Sequence, residues 1–193
     1  MDSTGGSIGS THDLGSSIGP GIFSIDFCNI RGLSSNLPSV EHHLAISSPD
    51  LLLLSETQLS KAASPDLYLI SNYNLHHNFR FKGGVCAYCN TNTPIARLVD
   101  LESSNFDAIW LKITLPTITI LLCFLYFSPN SSNYLELFDY LTTCHETLLS
   151  SHPHAEILYA GDFNVHHTEW LGSTVSDAGG VEDYSFSLLI FNK

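Results

Sequence analysis

The fold of this 193-residue chain is decided by the stretch EILYAGDFN, residues 156–164. Its first five residues are mostly apolar and predict a buried strand that runs directly into a Gly-Asp pair. In an extended segment alternate side chains share one side, so Asp162 and Asn164 should face one cavity while Phe163 packs away from it. A carboxylate and an amide placed in this way can hold a hard cation, a water molecule or a phosphate oxygen. The alternative is an ordinary strand-to-turn junction.

A second acidic residue follows another short apolar run. The run Leu51–Leu54 lies between a proline and the polar residues 55–58, so it predicts a strand that is buried on both faces and ends near Glu56. A charge at the end of a buried strand must find a metal ion, a partner or solvent. We therefore expect Glu56 and Asp162 to lie at the same rim of the fold.

Further strands are predicted by other short apolar runs. These runs lie near residues 22–28, 68–70, 85–89, 108–114 and 117–127. The last two are close enough in the chain to be joined by a tight turn at residues 115–116.

Two stretches carry helix signals. In the first, Asn36 can cap the helix, Pro38 suits its first turn, and the Ser-Pro pair at residues 48–49 ends it. In the second, Asn133 begins a capping-box-like pattern, and the helix is expected to stop near His152. Many strands with a few interposed helices indicate an α/β sandwich.

The composition suits one globular domain. With 193 residues, of which 44% are hydrophobic, the chain can bury one sizeable core. Residues 1–20 are rich in Gly and Ser, so we expect a flexible leader followed by one domain over residues 21–193. The formal net charge of -12 disfavours tight nonspecific DNA binding. It does not exclude an enzyme that meets nucleic acid through a metal ion.

Cysteine usage and hydropathy indicate an intracellular protein, either nuclear or cytoplasmic. The five cysteines are odd in number and lie mostly inside apolar runs, as free buried thiols do. Cys86 and Cys89 have the spacing of a zinc or redox pair, but on a strand they point to opposite faces. The first 20 residues lack the apolar core of a signal peptide, and no apolar run approaches the ~20 residues that a membrane helix needs. No membrane partner is expected.

The ten histidines invite a metal hypothesis that their spacing does not favour. Adjacent side chains diverge, so the pairs at residues 42–43 and 76–77 are expected to have surface or packing roles. His166 and His167 follow Asn164 and could touch substrate or metal, although a structural role is favoured for both.

Five motifs occur in an order that resembles the endonuclease/exonuclease/phosphatase superfamily, whose members include apurinic endonucleases. They are NIRGL at residues 29–33, LSET at 54–57, GGV at 83–85, YFSPN at 126–130 and GDFNVHH at 161–167. The fuller run, together with Trp170, resembles the apurinic-endonuclease-like domain of non-LTR retrotransposons. The resemblance covers the chain from about residue 22 to its end.

The resemblance implies a four-layer-type α/β sandwich, in which two mixed β-sheets pack face to face and helices flank them. It also implies a DNA-nicking endonuclease that uses Mg²⁺ or Mn²⁺, since oxygen ligands suit these ions better than zinc. In the parent element such a domain would be fused to a reverse transcriptase.

Site residues carry over position by position. By resemblance, Glu56 would be the principal metal ligand, and Asn29 would help to set the metal ion or the phosphate. Asp162 would position or deprotonate the attacking water, and Asn164 would orient the phosphate. A cation and fixed donors suit this chemistry because charge develops on the non-bridging phosphate oxygens during attack.

The substrate contacts also follow from the resemblance. Tyr126 and Asn130 would contact the scissile phosphate. Arg31 stands where many relatives carry an acidic residue, and it would instead reach substrate phosphate or pair with a carboxylate. His166 would be a further substrate contact.

The end of the chain departs from the family pattern. Relatives continue with a late Thr-x-Asp element and a terminal Ser-Asp-His, and neither follows Phe191. We therefore expect a domain that lacks its C-terminal strands, is weakly active or inactive, and self-associates through an exposed sheet edge.

Two alternatives stay open. The same fold could act on a phosphoester outside DNA, such as a phosphoinositide, a sphingolipid or an RNA tail. The chain could also be a non-catalytic remnant or a binding module left by a degraded element.

Overall fold

The computed structural model describes residues 23–164 and the backbone of residues 187–191. Four strands form the first sheet in the order β1-β2-β4-β3. Their bounds are Ile25–Asn29 for β1, Leu51–Ser55 for β2, Tyr73–Asn78 for β3 and Val85–Asn90 for β4. β1 and β2 are parallel, and the other two pairs are antiparallel.

Five strands form the second sheet in the order β5-β6-β7-β8-β9. Their bounds are Ile95–Arg97 for β5, Asp107–Thr114 for β6, Thr119–Tyr126 for β7, Glu156–Asp162 for β8 and Ser187–Phe191 for β9. β7 and β8 are parallel, because helix α2 crosses over between them, and the other pairs are antiparallel.

Within residues 23–164, two α-helices cover the outer faces of the sheets. Helix α1 spans Leu33–Ser47 and packs on the first sheet, where Val40 and Leu44 are buried. Helix α2 spans Tyr134–Ser151 and packs on the second sheet through Leu137 and Leu148. No helix in the described part of the chain is both long and apolar enough to cross a membrane.

The two sheets pack face to face over a shared apolar layer. Leu51, Leu53 and Ala87 of the first sheet contact a cluster that includes Leu122 and Phe124 of the second. Helix, sheet, sheet and helix therefore form four layers. The predicted α/β sandwich of two mixed sheets is confirmed.

Cysteine placement agrees with the alternation of a strand. All five cysteines are free, and Cys86 belongs to the layer beneath α1 whereas Cys89 belongs to the layer between the sheets. Burial raises the pKa of the Cys86 thiol well above its ordinary value and that of Cys89 to about 12. Both thiols therefore stay protonated, and they lie on opposite faces of β4, as expected for this spacing on a strand.

The strand predicted near residues 68–70 is wrong. A 3₁₀ helix spans Pro65–Tyr68, and the strand follows later as β3, which was not predicted. β3 is an edge strand whose sequence YNLHHN is mostly polar, so it carries little apolar alternation. The three-residue strand β5 was missed because it is too short to carry a periodic signal.

The predicted start of α1 is also wrong. The helix begins at Leu33, with Gly32 at the N-cap, and Asn36 lies in its second turn. There the Asn36 amide donates hydrogen bonds of 3.0 Å and 2.9 Å to the carbonyls of Ile30 and Gly32. Asn36 lies inside the helix and stabilises the segment that precedes it. Pro38 also lies within the helix.

Asn133 does occupy the N-cap of α2, but the capping box does not form. Its side chain makes no hydrogen bond to the helix backbone and instead donates to the Glu136 carboxylate at 3.3 Å. The predicted turn before β7 is present, since the Leu115 N–H donates to the Ile118 carbonyl at 2.9 Å. Residues 1–20, predicted to be a leader, lie outside the described residues.

Candidate functional site

Four chemically functional side chains meet where strand ends of the two sheets converge. Asn29 ends β1, and Glu56 follows β2, which is parallel to β1. Tyr126 ends β7 and lies in register with Asp162 at the end of the parallel strand β8. Parallel pairing brings carboxyl ends to the same edge of each sheet, and face-to-face packing then brings the two edges together.

The Asn29 amide joins the two carboxylates across the sandwich. Its Nδ2 donates to Glu56 Oε1 at 2.9 Å and to Asp162 Oδ2 at 3.4 Å, although Asn29 and Asp162 are 133 positions apart. The Asn29 Oδ1 atom is buried without a hydrogen-bond partner among the described residues. The amide therefore has one satisfied side and one free acceptor.

Besides the Asn29 amide, Glu56 is held by its backbone and by two further side chains. Gln58 Nε2 donates to Glu56 Oε2 at 3.3 Å, and the Tyr126 phenol is also hydrogen-bonded to this carboxylate. The Gly32 N–H donates to the Glu56 carbonyl at 2.8 Å, which ties the start of α1 to the site. Burial, followed by the charge of Glu56, raises the pKa of Tyr126 above its ordinary value, so the phenol remains a proton donor.

Asp162 is 6% exposed, and the backbone N–H of Asn164 donates to its Oδ1 at 3.2 Å. The expected extended conformation does not continue to Asn164, which has a φ of +46°. As a result, the Asn164 amide donates to the Phe127 carbonyl at 2.8 Å. Phe163 is buried as predicted.

Two of the predicted substrate contacts, Arg31 and Asn130, follow the strands that carry the site residues in the chain. Arg31 is exposed and has a φ of +48°, two residues after Asn29. Asn130 is exposed in the turn after β7, where the Ser131 N–H donates to the Ser128 carbonyl at 2.9 Å. The structure thus places both side chains in solvent. His166, together with His167 and Trp170, lies outside the described residues.

One buried acid near the site was not predicted. Asp107 begins β6, lies in register with Tyr126 and is 7% exposed. The predicted acids follow the carboxyl ends of strands, but the first residue of an antiparallel strand reaches the same sheet edge. The sequence signal that could have identified Asp107 is its charge immediately before the apolar residues 108–111.

The ligand set suits a hard cation. Glu56, Asp162 and the unpartnered Asn29 Oδ1 present only oxygen atoms, which Mg²⁺ and Mn²⁺ prefer. Among the described residues, no group of three or more His, Cys, Asp or Glu side chains is arranged to hold a metal ion. The candidate set here is two carboxylates and one amide.

Comparison with known proteins identifies relatives of this architecture. Residues 27–188 match the sequence model of the Endonuclease/Exonuclease/phosphatase family. No curated protein sequence matches the chain significantly.

Three solved structures illustrate the likeness. The 3′ phosphatase NExo from Neisseria, bound to a product DNA hairpin, has a TM-score of 0.56 and 19% identity, with 75% of this chain and 58% of that chain covered. The AP endonuclease LMAP from Leishmania major has a TM-score of 0.55 and 19% identity, with coverages of 74% and 55%. D. rerio TDP2, complexed with a single-strand DNA product, has a TM-score of 0.55 and 16% identity, with coverages of 76% and 62%.

At these identities the likeness shows a shared fold. The chain spans less than two thirds of the length of each of these structures, between 55% and 62%.

Proposed function

Because this chain belongs to the Endonuclease/Exonuclease/phosphatase family, we propose that it is a divalent-metal-dependent phosphodiesterase that nicks DNA. The observation that supports this most directly is the Asn29 amide shared by Glu56 and Asp162. Two carboxylates that share one donor form a compact group of oxygens to which a cation and a phosphate can both be brought.

Glu56 and the Asn29 Oδ1 would hold Mg²⁺ or Mn²⁺ at this site. When bound, the cation would neutralise charge that develops on the non-bridging oxygens of the phosphodiester. A buried acceptor such as Asn29 Oδ1 costs free energy unless a ligand uses it, which favours this assignment.

Asp162 would orient the attacking water and accept its proton. The Asn29 amide and the Asn164 N–H already hold one oxygen each of this carboxylate, so its direction is set before substrate binds. Tyr126 would turn its phenolic hydrogen from Glu56 to a phosphate oxygen, because its raised pKa keeps the proton in place.

Asn130, with Tyr126, would contact the scissile phosphate, and Arg31 and His166 would contact neighbouring parts of the substrate backbone. Arg31 contributes one of only 7 basic side chains in a chain of net charge -12, so a cation at this position matters for a polyanionic substrate. Asn164 would act on the phosphate indirectly, since its amide is engaged with Phe127.

DNA is the proposed substrate, in preference to a phosphoinositide, a sphingolipid or an RNA tail. The enzyme is proposed to be an endonuclease of the retrotransposon type. The sequence around Asn29 and the VHH run after Asn164 support this choice. In the parent element the domain would act beside a reverse transcriptase.

Conversion of supercoiled plasmid to the nicked form in Mg²⁺ tests this proposal. We expect wild type to nick the plasmid slowly at most, in line with the weak activity expected from the missing terminal elements, and Glu56→Gln to lose most of that activity. Glu146→Gln, an exposed substitution of the same kind in α2, is the matched control and should keep it.

The alternatives predict different results in the same experiment. Hydrolysis of a non-DNA phosphoester without plasmid nicking would show that the protein is an enzyme of this fold but that its substrate is not DNA. Absence of turnover on any of these substrates, together with no Mn²⁺ binding that depends on Glu56, would support the non-catalytic remnant and refute the proposal.

A further inference from the structure

A buried polar network connects the second sheet to the loop that carries Glu56. Its centre is Asp107, whose Oδ2 accepts a 2.9 Å hydrogen bond from the Gly84 N–H. Asp107 Oδ1 lies 2.6 Å from Arg80 Nε, as an ion pair whose N–H is not aligned for a hydrogen bond. Arg80 is fixed at its other end by a 2.9 Å hydrogen bond to the Ser104 carbonyl. Asp107 thus holds the turn between β3 and β4 from across the sandwich.

The same turn holds the backbone on the C-terminal side of Glu56. The Gly84 carbonyl accepts from the Thr57 N–H at 3.2 Å, and the Gly83 carbonyl accepts from the Gln58 N–H at 2.8 Å. Glu56 and Gln58 have φ values of +53° and +52°, a region that side chains other than glycine seldom occupy. Such a conformation persists only where surrounding contacts hold it, and these two hydrogen bonds do so.

Close packing leaves the turn no room to shift. A Cβ on Gly83 would lie 2.6 Å from Asp107 Oδ2 and 3.1 Å from the Tyr126 ring. A Cβ on Gly84 would lie 2.6 Å from Thr57 Oγ1. The two glycines are therefore pressed between the buried acid, the site tyrosine and the Glu56 loop.

A second contact locks Asp107 in place. The Asn78 amide donates to the carbonyls of Phe106 and Ala108 at 3.1 Å and 3.3 Å, one on each side of Asp107. These hydrogen bonds join β3 to β6 at Asp107, the residue that accepts the hydrogen bond from the Gly84 N–H. Asp107 cannot move without breaking a connection between the two sheets.

We propose that Asp107 is a positioning residue, which acts through the Gly83–Gly84 turn to hold Glu56 and Tyr126 in the geometry that binds the metal ion. This inference rests on the proposed function for its consequence. Its structural part, that Asp107 holds the Glu56 loop, stands on the contacts alone.

Three variants test the inference. Asp107→Asn keeps an acceptor for the Gly84 N–H but places an amide against Arg80, and Asp107→Ala removes both contacts. Glu102→Gln is the matched control, because Glu102 is 12% exposed and pairs with Arg97 at 2.7 Å. That ion pair joins β5 to the residue that follows the 3₁₀ helix Val99–Leu101, and neither side chain is hydrogen-bonded to the turn.

Two readouts separate positioning from stability. Amide hydrogen exchange at Thr57 and Gln58 should be faster in Asp107→Asn than in wild type and faster still in Asp107→Ala. The Mn²⁺ dissociation constant, measured by calorimetry, should rise by about tenfold in Asp107→Asn, as is typical when a residue that orients a metal ligand is lost. Glu102→Gln should lower the melting temperature without either change.

Each outcome decides a separate question. Exchange at Thr57 and Gln58 that is no faster in Asp107→Asn than in Glu102→Gln overturns the inference, even if wild type binds Mn²⁺. Wild type that binds no Mn²⁺ refutes the proposed function, while the exchange data still decide whether Asp107 holds the loop. If Asp107→Ala does not fold, the comparison of exchange rates in Asp107→Asn and Glu102→Gln still decides whether Asp107 holds the Glu56 loop.

Discussion

At the scale of single residues, the site depends on how a few polar atoms share their hydrogen bonds. Asn29 uses its two donor hydrogens on two carboxylates and leaves its acceptor buried and unused. Tyr126 keeps its proton because burial and the Glu56 charge both raise its pKa. The site therefore offers one buried acceptor without a hydrogen-bond partner among the described residues, Asn29 Oδ1, and one protonated donor, the Tyr126 phenol.

Replacing Asn29 with alanine should therefore impair metal binding before it impairs folding. Without the shared donor, the Glu56 and Asp162 carboxylates lose their common partner and repel each other. We expect the rise in melting temperature on adding Mn²⁺ to shrink strongly in Asn29→Ala. Differential scanning fluorimetry with and without Mn²⁺ measures this, with the exposed substitution Asn92→Ala as the control. If Mn²⁺ raised the melting temperature of Asn29→Ala as much as that of wild type, Asn29 would not be a metal ligand.

At the scale of elements, strand pairing determines both the shape of the site and how well the chain tolerates substitution. Gly161 in β8 has a φ of +143°, and a Cβ there would collide with the Leu125 carbonyl of β7. This close approach brings Asp162 beside Tyr126 at the ends of the two strands.

Gly161→Ala should be among the most damaging single substitutions in the chain. The added methyl must push β7 and β8 apart, so we expect the free energy of unfolding to fall by more than about 3 kcal/mol. Urea denaturation followed by circular dichroism measures the change. Stability within error of wild type would contradict the described approach of the two strands.

The edge strand β3 should make stability depend on pH. Burial, followed by the charge of Arg97, lowers the pKa of His76 below its ordinary value of 6.5, and the same causes lower that of His77. The folded state therefore binds fewer protons than the unfolded state, so stability is present above pH 6.5 and is lost as the pH falls through the lowered values.

Thermal melts between pH 7.5 and 5.5 test this dependence. The double variant His76→Gln/His77→Gln should lose part of the decline in melting temperature that wild type shows toward the acid end. His42→Gln, an exposed substitution on α1, should keep the whole decline. Identical slopes in wild type and the double variant would assign the acid sensitivity to other groups.

At the scale of the whole molecule, charge is the feature most at odds with a polyanionic substrate. The net charge of -12 makes the general field repulsive toward DNA, so the proposed DNA binding would rest on a few local contacts and on the proposed cation. Arg31 is exposed and follows Asn29 by two residues, so it is the basic residue closest in sequence to a residue of the candidate site and is proposed to supply such a contact.

Arg31→Gln should weaken DNA binding to a similar degree for all sequences. The slope of log affinity against log salt concentration should also decrease by about 0.9, the contribution of one phosphate contact on duplex DNA. Fluorescence anisotropy with a labelled duplex in Mg²⁺ measures both quantities. Lys112→Gln, in the second sheet beside His152, is the control and should change neither. Equal effects of the two substitutions would mean that Arg31 has no specific contact.

Local patterning was sufficient to predict the class of fold and the proximity of two acids that follow buried strands. Apolar runs of strand length are visible in the chain itself, and a charge that ends such a run is conspicuous wherever the strand is placed. Glu56 and Asp162 were found by this rule, and their proximity at one rim agrees with it. The helix and strand signals in residues 108–152 hold for the same reason, since propensity and packing favour the same structure there.

Long-range pairing decided the remaining features, because they depend on residues that are distant in the chain. The polar edge strand β3 exists through its hydrogen bonds to β4, and Asn36 lies inside α1 because Gly32 and Leu33 donate backbone hydrogen bonds to Glu56 and Thr57. No pattern in the sequence shows that Asn29 joins two carboxylates or that Asp107 supports the turn beside Glu56. Hydrogen bonds between sheets form only after packing has brought their partners together, so local periodicity carries no record of them.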